Sequence, residues 1–341
     1  MKRRISLILV FALVLTLAVG CGTSEPAGGQ GGQEKIVIRL GHDLLEDTHQ
    51  HYGALEFKKM VEEKTDGRIE VQVFPAGQLG TDIEIAEMMQ SNAVEAGLVP
   101  TAKLSGFHAP LQLIDLPFLF PSREITYKLL DSELADDLFQ PMEKIGLKGL
   151  AFWESGFKQF TANKEIRKPS DFEGLQIRVM ESPLLIAQYR ALGANPIPID
   201  FSETYNALQQ GVADGQENPL VSIAAMRFYE VQSHMTLSNH GYLAYALLFS
   251  NSFWDRLSPE DQEILQTAAR EAGVLERQEA IRREEGFIET IESSGTTVIR
   301  LSDEEMAAFS EAMKPVHEEF ADVIGRDLLQ KAYDLIEEFQ K

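Results

Sequence analysis

The residue types able to do covalent chemistry are scarce in this chain. Its 341 residues hold one cysteine, Cys21, so an internal disulfide, a cysteine metal site and a thiol nucleophile within the body are excluded. No GxSxG elbow, Gly-rich phosphate loop or HExxH helix occurs. His49 and His51 stand two apart, half of a metal site that His42 and His240 could complete, but polar histidines at a helix start read the same way. No metal and no cofactor is expected, and the chain does not read as an enzyme. Pairs such as Glu62-Glu63 and Glu284-Glu285 read as solvated helix faces. Cations say more: 31 Lys and Arg stand against 53 Asp and Glu. Arg178 lies in an apolar strand, GLQIRVM, whose alternation puts Leu175, Ile177 and Val179 on one face and Gln176, Arg178 and Met180 on the other. A guanidinium there needs an anion. That anion is either an internal Asp or Glu or the carboxylate of a ligand, held by two parallel hydrogen bonds.

The elements that would position Arg178 alternate. Strands are expected at 35–40, 68–74 and 93–99, with helices at 48–64 and 81–90 between them. A connector at 110–121 leads to a helix at 124–145 and a strand at 147–152. A second unit begins near Gly156, with strands at 174–180, 196–199, 211–216 and 243–250 and helices at 182–191 and 202–210. This is the signature of an α/β fold with largely parallel sheets. Residues 259–293 read as one helix, with Ser258 as N-cap and Pro259 in its first turn. At ~1.5 Å per residue it spans ~50 Å, enough to lean on both units. Two amphipathic helices are expected over 302–339.

The N-terminus reads as an export signal: Lys2, Arg3 and Arg4, then an apolar stretch from 5 to 19, then Gly20 and Cys21. The stretch is shorter than the ~20 residues of a spanning helix. Cys21 completes a lipobox, and residues 22–33 (GTSEPAGGQGGQ) form a flexible tether. Net charge is −22 and falls to about −25 once residues 1–20 are removed, which argues against a nucleic-acid partner.

Several segments together resemble the DctP-type solute-binding proteins of TRAP transporters. They are EKTDGRIEVQVFPAGQLG at 63–80, IDLPFLF at 114–120, FWESGFKQFTANKEIRKPSDFEGLQIRVME at 152–181, FSETYNALQQGVADGQENPL at 201–220 and LSNHGYLAYALLFSN at 237–251. The resemblance covers the body from Ile36 to the tail. It implies a two-domain periplasmic-binding-protein-like α/β fold with hinge strands and one long helix crossing both domains. Domain I would comprise 34–155 and 244–283, domain II 156–243 and 284–301, with 302–341 packed on the body. It implies an extracytoplasmic protein that captures a small organic acid and delivers it to the permease membrane subunits, while the lipobox adds membrane attachment and the exposed tether suits a monomer. The presence of lysine at 158 and of SNHGY points to a C4-dicarboxylate such as malate, succinate or fumarate. Other carboxylates, and service to a sensor kinase, stay open.

By the same resemblance, Arg178 pairs with the ligand carboxylate, assisted by Asn218 of GQENP and by Lys158, where many relatives carry arginine. Further cleft positions fall on Asp43, Gln50, Lys103, Phe201, Asn239, His240 and Tyr242. Phe201 reads equally as core. Tyr242 is either a hydroxyl donor or a hinge cap, and His240 a hydrogen-bonding wall. Lys103 suits the far end of a dicarboxylate, or plain surface.

Overall fold

The structure, a computed structural model, describes residues 35–341. The signal segment, Cys21 and the tether, residues 1–33, lie outside the described residues.

Five elements open the fold: β1 (Ile36–Gly41), α1 (His49–Lys64), β2 (Ile69–Phe74), α2 (Asp82–Gln90) and β3 (Ala96–Pro100). Both helices start where a side-chain oxygen meets orphan amides. Thr48 accepts from the His51 amide, and Thr81 and Glu84 form a reciprocal capping box. β1 pairs in parallel with β2 and β3. Two 3-10 turns, Thr101–Gly106 and Ala109–Leu113, then lead to α3 (Arg123–Leu130) and α4 (Glu133–Phe139). The single helix expected over 124–145 is therefore broken. Asp131 ends α3, Ser132 caps α4 through the Leu134 amide, and a 3-10 turn containing Pro141 stops at Gly146, whose φ is 84°.

Next comes β4 (Leu147–Ala162), far longer than the strand expected at 147–152. It is followed by β5 (Gln176–Val179), α5 (Pro183–Ala191), β6 (Asn195–Pro198), α6 (Thr204–Gln209), β7 (Gly215–Pro219), α7 (Leu220–Ala225), β8 (His234–Leu237) and β9 (Tyr242–Ser250). The chain closes with α8 (Asn251–Trp254), α9 (Pro259–Ser293), β10 (Thr297–Arg300), α10 (Asp303–Met313), α11 (Pro315–Ile324) and α12 (Arg326–Phe339). Pro315 and Gly325, with φ of 102°, cut the expected two tail helices into three.

The strand order is β2-β1-β3-β9-β4-β7-β5-β6, with β8 pairing β4 and β10. From Leu147 to Phe157, β4 runs antiparallel to β9. From Lys158 to Ala162 it runs antiparallel to β7, with β8 on its other side. One strand thus belongs to both halves of the molecule and forms a hinge. The boundary expected near Gly156 falls inside it, at a bulge where Gly156 has φ of 119°. The sheet is mixed rather than largely parallel, because β4 and β9 both run against their neighbours. The architecture is a two-domain α/β fold.

The helix expected at 259–293 is α9, capped by Ser258 through the Asp261 amide. Glycines allow it to cross α1 closely over Trp153. A Cβ on Gly53 would lie 2.9 Å from Glu276 and 3.1 Å from the Trp153 ring, and one on Gly273 would lie 2.9 Å from that ring. The Trp153 indole donates to the Ala269 carbonyl at 3.0 Å. Farther along, Ile291 enters a second core with Phe201, Phe228 and Met235, so α9 is anchored in both halves.

Candidate functional site

Where β4 leaves β9 for β7, register decides which side chains meet. Lys158, Gln159 and Phe160 face Pro219, Asn218 and Glu217. Lys158 Nζ lies 3.0 Å from Glu217 Oε1 and 3.9 Å from Asp115 Oδ1, and all three side chains are buried. Glu217 Oε2 lies 2.6 Å from His240 Nε2 and accepts from the Tyr189 hydroxyl at 3.2 Å. Ser238 Oγ sits 2.7 Å from His240 Nδ1, so the network assigns the ring proton to Nε2. The ring stacks on Phe160 at 3.9 Å. Burial alone would raise the Glu217 pKa. Lys158 and His240 outweigh it and hold the carboxylate at about 2. Burial pushes Asp115 up to about 7, against the pull of Lys158.

Arg178 projects from β5 and is 1% exposed. Its Nε donates to the Ile199 carbonyl at 2.9 Å, whereas Nη2 is buried and makes no hydrogen bond. Burial pulls its pKa down, and Glu181, Asp200, Glu217 and Asp43 oppose that pull. None of them forms a salt bridge with it among the described residues. Thus the internal-anion reading of Arg178 leaves its outer nitrogen unsatisfied, an arrangement with a cost of ~1–3 kcal/mol or more.

Lys103 follows β3 and is buried, which removes its reading as plain surface. Its Nζ lies 2.9 Å from Asp200, 3.4 Å from Asp82 and 3.7 Å from Glu181. Burial works against its charge, but Asp82, Asp200 and Asp43 outweigh that and keep it protonated. Asp43, after β1, accepts from the Tyr245 hydroxyl at 3.5 Å. Asn218 donates to Gln216 at 2.5 Å, and Gln216 to Thr161 at 2.9 Å.

The other expected cleft residues make the following contacts within the protein. Gln50 donates to Ser155 Oγ at the β4 bulge, 3.0 Å away. Tyr242 is buried edge-on between Phe120 and Phe157, which favours its reading as a hinge cap. Phe201 packs on Phe228 in the second core. Asn239 holds a left-handed turn with φ of 44° and accepts from Gln159 at 2.7 Å. The histidines do not converge. His42 pairs with His51 at 3.1 Å, His49 meets the Glu154 carbonyl at 3.2 Å, and His240 belongs to Glu217. Among the described residues no group of three or more His, Cys, Asp or Glu is arranged to hold a metal. A groove of about 540 Å³ on the α4–α9 side, lined by Asp131, Phe139, Arg270 and Arg277 among others, contains none of the site residues. Sequence reasoning missed Glu217, Asp82, Asp200, Glu181 and Asp115. Only Glu217, inside GQENP, carried a local signal.

A buried guanidinium with an unused donor, a second buried cation, and two halves joined by continuous strands define a two-lobed solute-binding protein. The chain belongs to the bacterial extracellular solute-binding proteins of family 7, the binding proteins of TRAP transporters, whose model matches residues 40–322. It is 38% identical over 331 residues, 96% of this chain and 97% of the relative, to the C4-dicarboxylate-binding periplasmic protein DctP of Rhodobacter capsulatus. It resembles the TRAP periplasmic solute-binding protein of Sulfurospirillum deleyianum solved with bound succinate, with 37% identity, TM-score 0.83, and coverage of 89% of this chain and 99% of that one. It also resembles the sugar acid binding protein DctPAm of Advenella mimigardefordensis in complex with galactonate, with 30% identity, TM-score 0.86, and coverage of 89% and 99%. The family consists of extracytoplasmic binding proteins rather than enzymes. No helix among the described residues is long and apolar enough to cross a membrane.

Proposed function

We propose that this chain captures a small organic acid, a C4-dicarboxylate such as malate, succinate or fumarate, and hands it to the membrane subunits of a TRAP permease. The observation that carries this reading is the buried Arg178 Nη2 without a partner. A ligand carboxylate satisfies that nitrogen and supplies the missing countercharge. Asn218 and Lys158 complete the anchor, with Glu217 and His240 fixing the Lys158 side chain. Lys103 meets the far carboxylate. The relatives named for C4-dicarboxylates and solved with succinate support this choice. Domain I is 34–155 with 244–283 and domain II 156–243 with 284–301, while 302–341 buttresses both. Cys21 carries the lipid that tethers a monomer to the membrane.

A second reading, a hydroxylated monocarboxylate, is favoured by the half-exposed Asp200, which offers an acceptor to ligand hydroxyls, and by the galactonate-bound relative.

Thermal unfolding against a panel of organic acids tests both. A ligand at 100 times its Kd adds ~2.7 kcal/mol to stability. Calorimetry of Arg178→Ala is expected to show a loss of ~2–5 kcal/mol in binding. A variant that binds as tightly as the parent refutes the anchor.

A further inference from the structure

Segments that follow three different strands meet at Lys103. Lys103 lies just past β3, on the β2-β1-β3-β9 side of β4, whereas Glu181 and Asp200 follow β5 and β6, on the β7 side. In open α/β sheets the carboxyl ends of the strands border the ligand crevice, and here loops from both halves touch across it. Lys103 Nζ donates to Asp200 Oδ2 at 2.9 Å and lies 3.7 Å from Glu181. Asp82, on its own side, stands at 3.4 Å and accepts no hydrogen bond. Among the described residues, the one hydrogen bond of this buried ammonium therefore reaches into the opposite half.

The two oxygens of Asp200 divide the work. Oδ1 accepts from the amide and the hydroxyl of Ser202, both at 3.1 Å, and so fixes the turn that starts at Phe201. Oδ2 is left for Lys103. The carbonyl of the preceding residue, Ile199, accepts from Arg178 Nε at 2.9 Å. One short segment thus holds both the arginine that anchors the ligand and the acid that meets Lys103. Burial works against the charge on Asp200, but the hydrogen bond and charge of Lys103 outweigh it and hold the carboxyl below its ordinary range. The Lys103 side chain is 1% exposed, those of Asp200 and Glu181 29% and 36%. Both acids already reach water, so the contact can break at modest cost when the halves separate.

We propose that Lys103 and Asp200, with Glu181 beside them, form a tie that draws the two halves together over the cleft, and that Asp200 is the positioning residue that sets how much of the protein is closed before a ligand arrives. The inference rests on the solute-binding reading above. The tie consists of protein groups alone. An ammonium carries three N–H donors, so Lys103 keeps capacity for a ligand while it holds Asp200. A ligand that needs the closed form binds with an apparent affinity reduced by the closed fraction. Each tenfold drop in that fraction weakens every acid tenfold, whatever its charge or hydroxylation. A direct contact between Asp200 and the ligand predicts otherwise: loss of the Asp200 charge then strengthens a dicarboxylate and weakens an acid whose hydroxyl it binds.

Asp200→Asn is the informative variant, because its amide oxygen keeps the Ser202 contacts while the charge facing Lys103 is lost. Small-angle X-ray scattering of the ligand-free proteins is expected to give a larger radius of gyration for the variant than for the parent, and one shared radius once succinate saturates both. Lys103→Gln, which breaks the tie from the other side, is expected to reproduce the larger ligand-free radius. Calorimetry of Asp200→Asn is expected to show succinate and galactonate weakened by a common factor, on the order of tenfold. The proposal is overturned if the ligand-free radius is unchanged in either variant, if succinate binds Asp200→Asn more tightly than the parent, or if the two acids change by different factors. If neither acid binds the parent, the function proposed above fails, and the ligand-free scattering alone decides whether the tie exists.

Discussion

Replacing Glu217 with glutamine removes one charge from a site in which both carboxylate oxygens are engaged, by Lys158 at 3.0 Å, His240 at 2.6 Å and Tyr189 at 3.2 Å. Its pKa of about 2, against 4.5 for the free side chain, is depressed. The sign follows directly: the contribution to stability is fully present above 4.5 and is lost as pH falls toward 2. At 1.36 kcal/mol per unit, that difference corresponds to about 3 kcal/mol at neutral pH. Asp115, 3.9 Å from Lys158, recovers part of the loss by ionising in place of Glu217. The expected destabilisation is therefore about 2–3 kcal/mol. Urea unfolding of parent and Glu217→Gln near neutral pH reads this directly. The same comparison at about pH 3.5 should show the gap narrowed by about 1.4 kcal/mol, because Glu217 is largely protonated in the unfolded parent there while it stays ionised in the folded one. A loss under about 1 kcal/mol, or a gap that does not change with pH, refutes the assignment of Glu217 as the buried anion that holds Lys158 and His240.

Two further substitutions probe the hinge. Gly53→Ala pushes a methyl against Glu276 and Trp153 at the α1–α9 crossing, and a loss of about 1–3 kcal/mol in chemical denaturation is expected. Glu276 is buried near Glu154, and burial holds its pKa well above the usual range. An acid with a raised pKa loses stability as pH climbs from its unfolded value toward its folded one. Glu276→Gln should therefore gain on the parent as pH climbs above about 4.5, by up to about 1.4 kcal/mol per unit until the raised folded pKa is reached. Melting curves in which the variant gains nothing over that range would falsify the idea.

How far the sequence carried can be judged from particular residues. Thr48, Thr81, Ser182 and Ser258 were legible as helix starts because capping is local, and each does accept an amide hydrogen bond. The length of β4 was not legible. Its continuation past Gly156 depends on β9 and β7 arriving from more than fifty residues away, and the glycine that reads as a domain boundary is the bulge that lets one strand serve two sheets. β8 and β10 were missed for a related reason: each is four residues long, β10 pairing only with β8, and β8 with β10 and with β4. Arg178 stood out because a guanidinium in an apolar strand conflicts with its surroundings, a conflict visible in seven letters. Asp82 and Glu217 are buried too, Asp82 with neither oxygen hydrogen-bonded and Glu217 held by Lys158, Tyr189 and His240, yet among 53 acidic residues nothing in their type marks them. A carboxylate becomes informative only once the fold withdraws water from it. Here that depends on strand register, which places Glu217 across from Phe160 and beside Lys158, and on the packing that buries Asp82 at the start of α2 beside Lys103.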